Sequence, residues 1–464
     1  MAVDPAPRDL HFSDRPRMET EVPGPRSREL LGRQADLEAN TVAYPRALPV
    51  AMDAARGATI RDVDGNVYLD FFGGIGVANV GHSNPYVLEG ARDQLETLAH
   101  TVDFPSEPRL AFLEALDRIA PGTLPGNSRI AFGGPTGTNA VEASIKLAKY
   151  NTGRNGLLSF ERGYHGGTAG ALSLSGWSSY KSDYEPMLPD VVHVPYPRPA
   201  GQRSETDETL EDVLSEVRSV LRGEDPPAGV WVEPVQGSGG VVVPPGGFLA
   251  GLAEITDEYG ALLVVDEIQT GMGRTGEWFA CDHSGVTPDA VTVGKAVGGI
   301  GLPLSATVYR EELDTWGPSA HAGTFRGHLP AMVAGTRAIE YIEAHDLLDR
   351  AAELGRYLRD RLRECGRRCP FVSDVRGRGL LVGAEFRDRD GAPYSSFVEE
   401  VQARCLDRGV IVWTAGIEGH VLRLLPPLVM TDEQARVGMD VVADVVDDLA
   451  AEVTDGADVP PRGG

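Results

Sequence analysis

The sequence predicts an α/β fold: a large domain with a mainly parallel sheet, joined to a smaller α+β domain built from the N- and C-terminal segments. The 464 residues exceed the size that one hydrophobic core usually serves, so two domains are expected. Short apolar runs alternate with helical patterns over residues 81–330, which is typical of parallel strands buried on both faces. Residues 331–454 change to amphipathic helices with fewer strands, which indicates the smaller domain.

The N-terminal region predicts a tail followed by a β hairpin. Residues 1–26 are rich in Pro, Arg, Asp and Glu without periodicity, as is typical of a mobile tail. Residues 27–80 are assigned to the smaller domain. Within them, a strand pattern between Ile60 and Leu69 folds back at Asp64-Gly65, a strong hairpin signal.

The large domain is predicted from a series of short apolar runs that lack polar alternation. Such runs suit strands buried on both faces of a parallel sheet, whose functional groups gather at the carboxyl ends of the strands. The predicted strands are Arg129 to Phe132, Leu157 to Phe160, Val191 to Val194, Val230 to Val232, Leu262 to Val265, Val291 to Val293 and Leu304 to Tyr309.

The C-terminal region predicts a long helix and three further strands. Apolar residues at steps of three and four trace one face of the helix: Leu347, Ala351, Leu354, Leu358, Leu362 and Cys365. The strand candidates that follow are Leu380 to Phe386, Val410 to Trp413 and Val421 to Leu424. Residues 455–464 are rich in Gly, Pro and Asp and are predicted to form a mobile tail.

Composition excludes several classes of partner. The net charge of -25 repels phosphate backbones and anionic lipid, so neither nucleic acid nor membrane is expected as a partner. No apolar run is long enough to cross a bilayer, and no secretory signal precedes the first elements, so a cytoplasmic location is expected. The acidic, lysine-poor composition supports the hypothesis of a halophilic source, with GC-rich codon bias as the alternative.

The four cysteines do not predict a disulfide framework or a metal site. They are few and irregularly placed, and only Cys365 and Cys369 fall one helical turn apart. They are most simply reduced thiols, and no metal is predicted.

Lys295 is the first candidate for chemistry. It is one of four lysines, it directly follows an apolar run, and the chain otherwise uses arginine for positive charge. An amine can condense with a carbonyl group, which a guanidinium cannot, so Schiff-base formation is the first hypothesis. A lysine in an ordinary salt bridge is the alternative.

The segment Gly133-Gly134-Pro135-Thr136-Gly137-Thr138 predicts an anion site between a strand and a helix. Backbone donors at the helix start and the hydroxyls of Thr136 and Thr138 can bind a phosphate, and Gly137 allows close approach. An ordinary Gly/Thr-rich helix cap is an equally good interpretation of this segment alone. Because no Gly-Lys-Ser/Thr ending is present, a nucleoside triphosphate is a poor candidate.

Asp266 ends the apolar run Leu262 to Val265 and should lie at the functional edge of the sheet. Alone, it could equally be a helix cap or a metal ligand. Together with a Schiff-base lysine and a phosphate site, it completes the requirements of pyridoxal 5′-phosphate, whose ring nitrogen needs an acidic partner. The sequence therefore predicts this cofactor.

At this point the chain resembles the class III, or ω-amino acid, aminotransferases among the fold type I pyridoxal phosphate enzymes, over roughly residues 40 to 450. The order and spacing of many short motifs carry the resemblance. They are Asp64-Gly65, Tyr68-Leu69-Asp70-Phe71, Gly81-His82-Ser83-Asn84-Pro85, Thr136-Gly137-Thr138, Tyr164-His165-Gly166, Glu233-Pro234, Asp266-Glu267-Ile268-Gln269-Thr270-Gly271, Lys295, Gly323-Thr324-Phe325 and Arg423-Leu424.

The resemblance implies a role for each residue of the cofactor site. Lys295 is expected to hold the cofactor as an internal aldimine and to move the proton between the substrate carbon and C4′ of the cofactor. Asp266 is expected to keep the pyridine nitrogen protonated, and Gln269 to contact the ring hydroxyl. Ile268 and Tyr164 are expected to cover the two ring faces. For His165, next to Tyr164, the expected role is only to shape the loop.

The resemblance also implies a homodimer with shared active sites and a dual-specificity pocket. Thr324 corresponds to a residue that reaches the cofactor phosphate of the neighbouring subunit, and pairing of dimers into a higher oligomer stays open. Arg423 is expected to bind a substrate carboxylate, and Glu233 to shield it when an ω-amine enters. An ordinary salt bridge is the alternative for this pair.

One sequence position, Gly167, bears on which amino donor the resemblance implies. Ornithine and 4-aminobutyrate aminotransferases have an arginine where this chain has Gly167, so a second carboxylate clamp is missing. In this respect the chain is similar to the 2,4-diaminobutyrate aminotransferase branch. The expected reaction moves the terminal amino group of a diamino or ω-amino acid, or of an amine, to an oxo acid such as 2-oxoglutarate or pyruvate. An aminomutase, a decarboxylase and a catalytically silent scaffold are the alternatives.

Overall fold

The computed structural model describes residues 4–199 and 208–454, and the chain divides into two compact units. The central unit is Tyr86–Leu348, and the terminal unit combines Met1–Pro85 with Asp349–Gly464. The predicted C-terminal tail, 455–464, lies outside the described residues. Two domains, the smaller built from both ends of the chain, were expected from the sequence.

The α-helices of the described ranges are α1 (Pro25–Leu37), α2 (Tyr44–Ala47), α3 (Gly73–Gly76), α4 (Pro85–Thr97), α5 (Glu107–Ile119), α6 (Gly137–Thr152), α7 (Ala169–Leu174), α8 (Ser178–Lys181), α9 (Leu210–Leu221), α10 (Phe248–Tyr259), α11 (Leu329–Ala344), α12 (Leu347–Gly366), α13 (Ser395–Asp407) and α14 (Asp432–Thr454). The helix α12 confirms the long amphipathic helix predicted from the apolar steps that begin at Leu347.

The strands are β1 (Met52–Arg56), β2 (Thr59–Asp62), β3 (Val67–Asp70), β4 (Ser128–Ala131), β5 (Leu157–Phe160), β6 (Val191–Val194), β7 (Gly229–Val232), β8 (Leu262–Asp266), β9 (Ala290–Val293), β10 (Ala306–Arg310), β11 (Val372–Arg378), β12 (Leu381–Phe386), β13 (Val410–Ile411), β14 (Trp413–Ala415) and β15 (Val421–Leu424).

The central unit is built on a seven-stranded sheet with the order β4-β10-β9-β8-β7-β5-β6. The strand β10 runs antiparallel to both of its neighbours, while β9, β8, β7, β5 and β6 are mutually parallel. The mainly parallel sheet predicted from the sequence is therefore confirmed. Because helices cover both faces of such a sheet, its inner strands are mainly apolar, and every residue of β7, β8 and β9 is buried.

The terminal unit contains two four-stranded sheets, β1-β2-β3-β13 and β11-β12-β15-β14. The predicted hairpin is confirmed, since β2 and β3 are antiparallel and Gly65 has a φ of 93° in the turn between them. The described N-terminal residues contact this sheet: Arg17 pairs with Val67 through two backbone hydrogen bonds, and Leu10 is buried.

A left-handed turn follows β3. The four residues of α3, Gly73 to Gly76, all have positive φ, including Ile75 with φ 62° and ψ 42°. A β-branched side chain rarely adopts this conformation, because Cβ approaches the following carbonyl oxygen. Ile75 is half-buried and packs against the apolar cluster that contains Ile60 and Phe72.

None of the helices in the described ranges has a stretch that is both long and apolar enough to span a lipid bilayer.

Candidate active site

Asp266 is the last residue of β8, at the carboxyl edge of the parallel strands. It is buried, and its carboxylate is held at both oxygens. Oδ1 accepts hydrogen bonds from Thr292 Oγ1 at 3.1 Å and from the backbone amide of Ile268 at 3.1 Å. Oδ2 lies 2.7 Å from Nδ1 of His165. The carboxylate is therefore fixed in position, and its strand β8 pairs with β9 at Thr292.

The imidazole of His165 is the partner of Asp266 that sequence reasoning missed. Burial lowers the pKa of His165, but the hydrogen bond and the charge of Asp266 outweigh it, so the net shift of the pKa is upward. The backbone amide of His165 donates to Ser175 Oγ at 2.9 Å, which fixes the loop. Its position in the sequence could have indicated this contact, because His165 follows Tyr164 in the loop after the predicted parallel strand Leu157 to Phe160.

Lys295 lies at the end of the neighbouring strand. It is the third residue after Thr292, it is half-buried, and it begins a short 3-10 helix, Lys295–Gly298. Its φ of 48° lies in the left-handed region, which is uncommon for a residue with a side chain and is concentrated at functional sites. Since β8 and β9 are adjacent and parallel, Asp266 and Lys295 emerge at the same edge of the sheet.

The start of α6 lies against this edge. Thr136 is the N-cap and forms a capping box with Asn139, so Gly137 and Thr138 are the first residues of the helix. A Cβ atom on Gly137 would lie 2.9 Å from Ile268 Cδ1, and one on Gly294 would lie 3.1 Å from the Cα of Gly137. A side chain at either glycine would require Ile268 or the start of α6 to shift. The segment predicted to bind phosphate is therefore beside Ile268 and Lys295.

Thr138 is connected to two side chains that were not predicted for the site. Its Oγ1 lies 2.7 Å from the Oγ1 of Thr168, and the Thr168 hydroxyl in turn contacts Oε1 of Glu142. The same Oε1 accepts hydrogen bonds from the amides of Gly170 at 2.9 Å and Ala171 at 3.2 Å, at the start of α7.

Glu233, Tyr164 and Gln269 form the remaining part of the site in the central unit. Glu233 Oε1 accepts from the amide of Tyr164 at 2.9 Å, and Oε2 accepts from the amide of Gly237 at 3.0 Å. Burial raises the pKa of Glu233. The Cα of Gly237 packs against the amide group of Gln269 so closely that no Cβ would fit. The ring of Tyr164 remains 39% exposed, so it is accessible to a ligand.

Two predicted residues belong to other segments of the chain. Thr324 is exposed, in the segment of the central unit that precedes α11. Arg423 is buried in the terminal unit, on β15, where it pairs in register with Gly383 and Trp413. The other predicted residues are all at the carboxyl edge of the central sheet or at the start of α6. Within the described ranges, no group of three or more His, Cys, Asp or Glu side chains is arranged to hold a metal ion.

Comparison with known proteins identifies the family. The profile of the family described as aminotransferase class-III matches residues 41–446. The chain belongs to the class-III aminotransferases. A diaminobutyrate–2-oxoglutarate aminotransferase of Rhizobium meliloti (strain 1021) is 40% identical over 420 residues, which cover 87% of this chain and 89% of the relative. An alanine/serine racemase of Pyrococcus horikoshii is 34% identical over 446 residues, 93% of each chain.

A solved structure agrees with the family assignment. The ornithine aminotransferase from Toxoplasma gondii, described as having pyridoxal phosphate at partial occupancy in its active site, matches with a TM-score of 0.81 at 28% identity. The match covers 92% of this chain and 96% of that chain. The chain is thus an aminotransferase that uses pyridoxal phosphate, with the fold type I architecture expected from the sequence.

The residues at the sheet edge fit that cofactor. A buried carboxylate is fixed by Thr292 and His165, a lysine lies at the end of the adjacent strand, and a glycine-lined helix start offers backbone amides. These groups supply an acidic partner for a ring nitrogen, an amine for an aldehyde and donors for a phosphate.

Proposed function

We propose that the enzyme moves the terminal amino group of a diamino acid, with 2,4-diaminobutyrate as the first candidate, to 2-oxoglutarate. The proximity of Asp266 and Lys295 on adjacent strands supports amino-group chemistry at this edge. The 40% identical relative, a diaminobutyrate–2-oxoglutarate aminotransferase, supports the choice of substrates. The absence of an arginine at Gly167 is consistent with a donor that needs no second carboxylate clamp.

The proposed roles follow from the contacts of each side chain. Bound pyridoxal phosphate supplies an electron sink that stabilises negative charge on the substrate carbon. Asp266, fixed by His165, would hold a proton at the cofactor nitrogen. Lys295 would bind the aldehyde of the cofactor and, as a free amine, would move a proton at the substrate carbon. Residues 136–138, at the start of α6, would hold the phosphate.

Three further residues complete the proposed binding site. Ile268 packs on Gly137 and would cover one face of the cofactor ring, and the exposed side chain of Tyr164 would cover the other. Gln269, which lies against Gly237, would contact the ring hydroxyl.

The substrate groups are proposed from the family motifs. Arg423 binds the carboxylate of the oxo acid, and Glu233 shields the arginine when the ω-amine of the donor enters. Glu233 is already held by the amides of Tyr164 and Gly237, which supports a fixed position for its carboxylate.

The function is tested by rapid mixing of the cofactor-loaded protein with single donors. With 2,4-diaminobutyrate and no acceptor, the visible absorbance of the lysine-bound cofactor should convert to that of its amine form, and 2-oxoglutarate should reverse the change. Ornithine, 4-aminobutyrate and pyruvate serve as comparison substrates. The Lys295→Ala variant should bind the cofactor noncovalently and lose turnover, because no amine remains to move the proton. Substantial turnover in this variant would contradict the role of Lys295.

A racemase is the second candidate, because the alanine/serine racemase is 34% identical over 446 residues. Aminomutase and decarboxylase reactions use the same fold. A racemase interconverts the enantiomers of alanine or serine without accumulating the amine form of the cofactor. The rapid-mixing experiment therefore separates it from an aminotransferase.

We further propose a homodimer in which Thr324 contacts the cofactor phosphate of the neighbouring subunit. One face of the central unit supports this assembly. Large apolar side chains there are exposed: Leu95 54%, Leu98 46%, Phe104 72%, Leu110 45% and Phe325 63%. Among the described residues, buried polar atoms without a hydrogen-bond partner lie in the same segments: His100 Nδ1, Thr101 Oγ1, Ser106 Oγ, His321 Nδ1 and Arg326 Nε.

These segments are contiguous. Arg326 forms an ion pair with Asp103 at 2.6 Å, and the rings of His100 and Phe325 are 5.4 Å apart. A second copy would cover the apolar side chains, which monomeric proteins seldom expose together. Thr324 lies within this face, which we call the dimer face.

A cytoplasmic location and a halophilic source also remain proposals. The four cysteines of the described ranges, Cys281, Cys365, Cys369 and Cys405, are free and buried, as suits a reducing compartment. The net charge of -25 supports the halophilic source, since salt would screen the repulsion between acidic side chains.

A further inference from the structure

Residues 10–20 contact the sheet β1-β2-β3-β13 of the terminal unit, and we call them the N-terminal strap. The backbone amide of Phe12 donates to Thr59 Oγ1 of β2 at 3.0 Å. Further along, Arg17 and Val67 exchange two backbone hydrogen bonds, as paired residues of neighbouring strands do. The strap is therefore attached to the sheet at two separate points.

The same strap contacts the helix α14. Gln434 Nε2 donates to the carbonyl oxygen of Ser13 at 2.9 Å, and Arg15 forms an ion pair with Glu433 at 2.8 Å. Three strands of the sheet come from the N-terminal segment of the chain, and α14 comes from the C-terminal segment. The strap thus connects the two chain segments that build the terminal unit.

His11 is the strap residue whose charge decides whether the strap can lie in this position. The backbone amide of Ala58 donates to Nδ1 of His11 at 2.8 Å. Because an amide can only donate, Nδ1 must offer its lone pair, and the single hydrogen of the neutral imidazole lies on Nε2. A protonated imidazole has a hydrogen on each nitrogen, so it would turn one of them toward the amide hydrogen. The attached strap therefore requires a neutral His11.

The packing of His11 gives the charged ring no alternative arrangement that keeps this hydrogen bond. A Cβ atom at Gly57, which has a φ of 54°, would collide with the imidazole, so the ring lies directly on the backbone there. Gly57 is itself held by two backbone hydrogen bonds with His82. Rotation of the ring would take this acceptor away from the amide of Ala58.

Burial lowers the pKa of His11 below its ordinary value. Four nearby groups act in the opposite direction: the charge of Asp14, the backbone carbonyl groups of Val429 and Pro7, and the charge of Asp9. Burial outweighs all four, so the net shift of the pKa is downward, which agrees with a ring that stays neutral while the strap is attached.

The elements around His11 bring further charged groups, and each of these has a partner of its own. They are Arg56 and Arg61, whose guanidinium groups lie over the ring of Phe12, His82, which contacts Asp70, and Glu433 of α14, which contacts Arg15. The segment 426–430, which includes Val429, contains no titratable side chain. The pH at which His11 gains a proton is therefore set by its burial and by the charges of Asp14 and Asp9.

We propose that the N-terminal strap is a pH-sensitive connection, attached while His11 is neutral and released when its imidazole takes up a proton. Above pH about 6.5 the imidazole of a released strap is neutral too, so attachment does not depend on pH. Below that value the released strap binds a proton that the attached strap cannot bind. The ratio of released to attached strap should then rise by up to about tenfold per pH unit, until the pH falls below the lowered pKa.

Hydrogen exchange of the holoenzyme, followed by mass spectrometry, tests the proposal at pH 7.5 and pH 5.5, on either side of the ordinary histidine pKa of about 6.5. After correction for the intrinsic effect of pH, peptides that contain residues 10–20 or Ala58 should lose protection about tenfold at the lower pH. In His11→Asn, the side-chain oxygen takes the position of Nδ1 as acceptor and does not titrate. Its protection should be the same at both pH values.

Thr59→Val is the matched comparison, because it removes the acceptor of the Phe12 amide and leaves His11 in place. It should lower protection at pH 7.5 and keep the further fall of about tenfold at pH 5.5. Wild-type protection that is equal at the two pH values, or that falls equally in His11→Asn, would overturn the proposal.

The imidazole resonance of His11 provides a measurement that does not depend on exchange. It is identified by its loss in His11→Asn, and in the wild-type protein it should titrate with a midpoint below the ordinary value of about 6.5. A midpoint at or above that value would also overturn the proposal. His11 takes no part in the proposed amino-group chemistry, so a failed donor assay would leave this result unaffected.

Discussion

The contact between His165 and Asp266 fixes the orientation of the carboxylate of Asp266. Both side chains are buried, and the two residues are 101 positions apart along the chain, so the contact depends on the tertiary fold. A hydrogen bond to a charged group contributes about 1.5–3 kcal/mol to stability. His165 therefore stabilises the central unit as well as the orientation of Asp266.

The pH dependence of this contact gives a prediction. Since the pKa of His165 is raised in the folded protein, its contribution is complete below pH about 6.5 and is lost as the pH rises through the raised value. His165→Phe, which keeps the shape but not the donor, should destabilise the cofactor-free protein by about 1.5–3 kcal/mol at pH 6. The loss should shrink at pH 9.

Urea unfolding at the two pH values measures the effect, and His165→Asn is the control because its side-chain amide can place a donor near the same oxygen. Equal losses for His165→Phe at pH 6 and pH 9 would contradict the assigned charge.

Sequence reasoning predicted where the candidate residues with recognisable chemistry lie in the fold, while their roles stay predictions. Asp266 and Lys295 each follow an apolar run, so their location at the sheet edge was predictable from order alone. The partners His165 and Thr168 were not, because a loop residue gains its role from a contact far along the chain. The structure supplies those contacts at 2.7 Å in both cases.

At the scale of elements, the left-handed turn at Gly73–Gly76 allows a prediction about stability. The conformation of Ile75 costs about 1–2 kcal/mol relative to the right-handed form, an energy comparable to the gain from its partial burial. Ile75→Asn places a residue that tolerates this conformation and should change the free energy of unfolding by less than about 1 kcal/mol.

Ile60, in the same apolar cluster, is the comparison for that variant. It is 2% exposed and has ordinary strand geometry, so Ile60→Ala should cost about 2–5 kcal/mol. Thermal or urea unfolding measures the loss of stability in both variants. Comparing the two losses separates the effect of backbone strain at Ile75 from the effect of core packing at Ile60. A loss for Ile75→Asn as large as that for Ile60→Ala would show that packing alone matters at the turn.

The inner strands of the central sheet were predictable because burial on both faces leaves a mainly apolar signal. Leu157 to Phe160 coincides residue for residue with β5, which is buried throughout. Val191 to Val194 coincides with β6, an edge strand in which only Val194 is buried. The strand β11, Val372–Arg378, was not predicted. It includes Asp374, Arg376 and Arg378, and only one of its residues is fully buried, so its pattern is that of a polar segment.

At the scale of the whole molecule, the dimer face makes the proposed assembly testable. Phe104, with 72% of its side chain exposed, lies at this face, and Phe104→Asp would place a charge in the contact. We expect the wild-type protein to sediment as a dimer and the variant to shift toward monomer, with weaker cofactor binding because Thr324 would be withdrawn from the neighbouring subunit.

Leu37→Asp is the control for that variant, since Leu37 is 85% exposed on α1 and is not one of the residues that define the dimer face. It should leave sedimentation unchanged. A wild-type protein that is monomeric at micromolar concentration while binding the cofactor normally would contradict the proposal.

The division into two units was predictable from length and from the change of pattern along the chain, but its boundaries were not. The central unit begins at Tyr86, inside a helix that starts at Pro85, and it ends at Leu348, inside α12. A helix that continues across a boundary gives no composition signal, because its apolar periodicity is uninterrupted.

The long-range contact between His165 and Asp266 also has a consequence for folding. His165 follows β5 and Asp266 ends β8, so their contact requires that β5, β7 and β8 have already come together in the sheet. A cofactor that needs this site cannot nucleate the fold. Its capture by a newly made chain therefore reports that the central unit has finished folding.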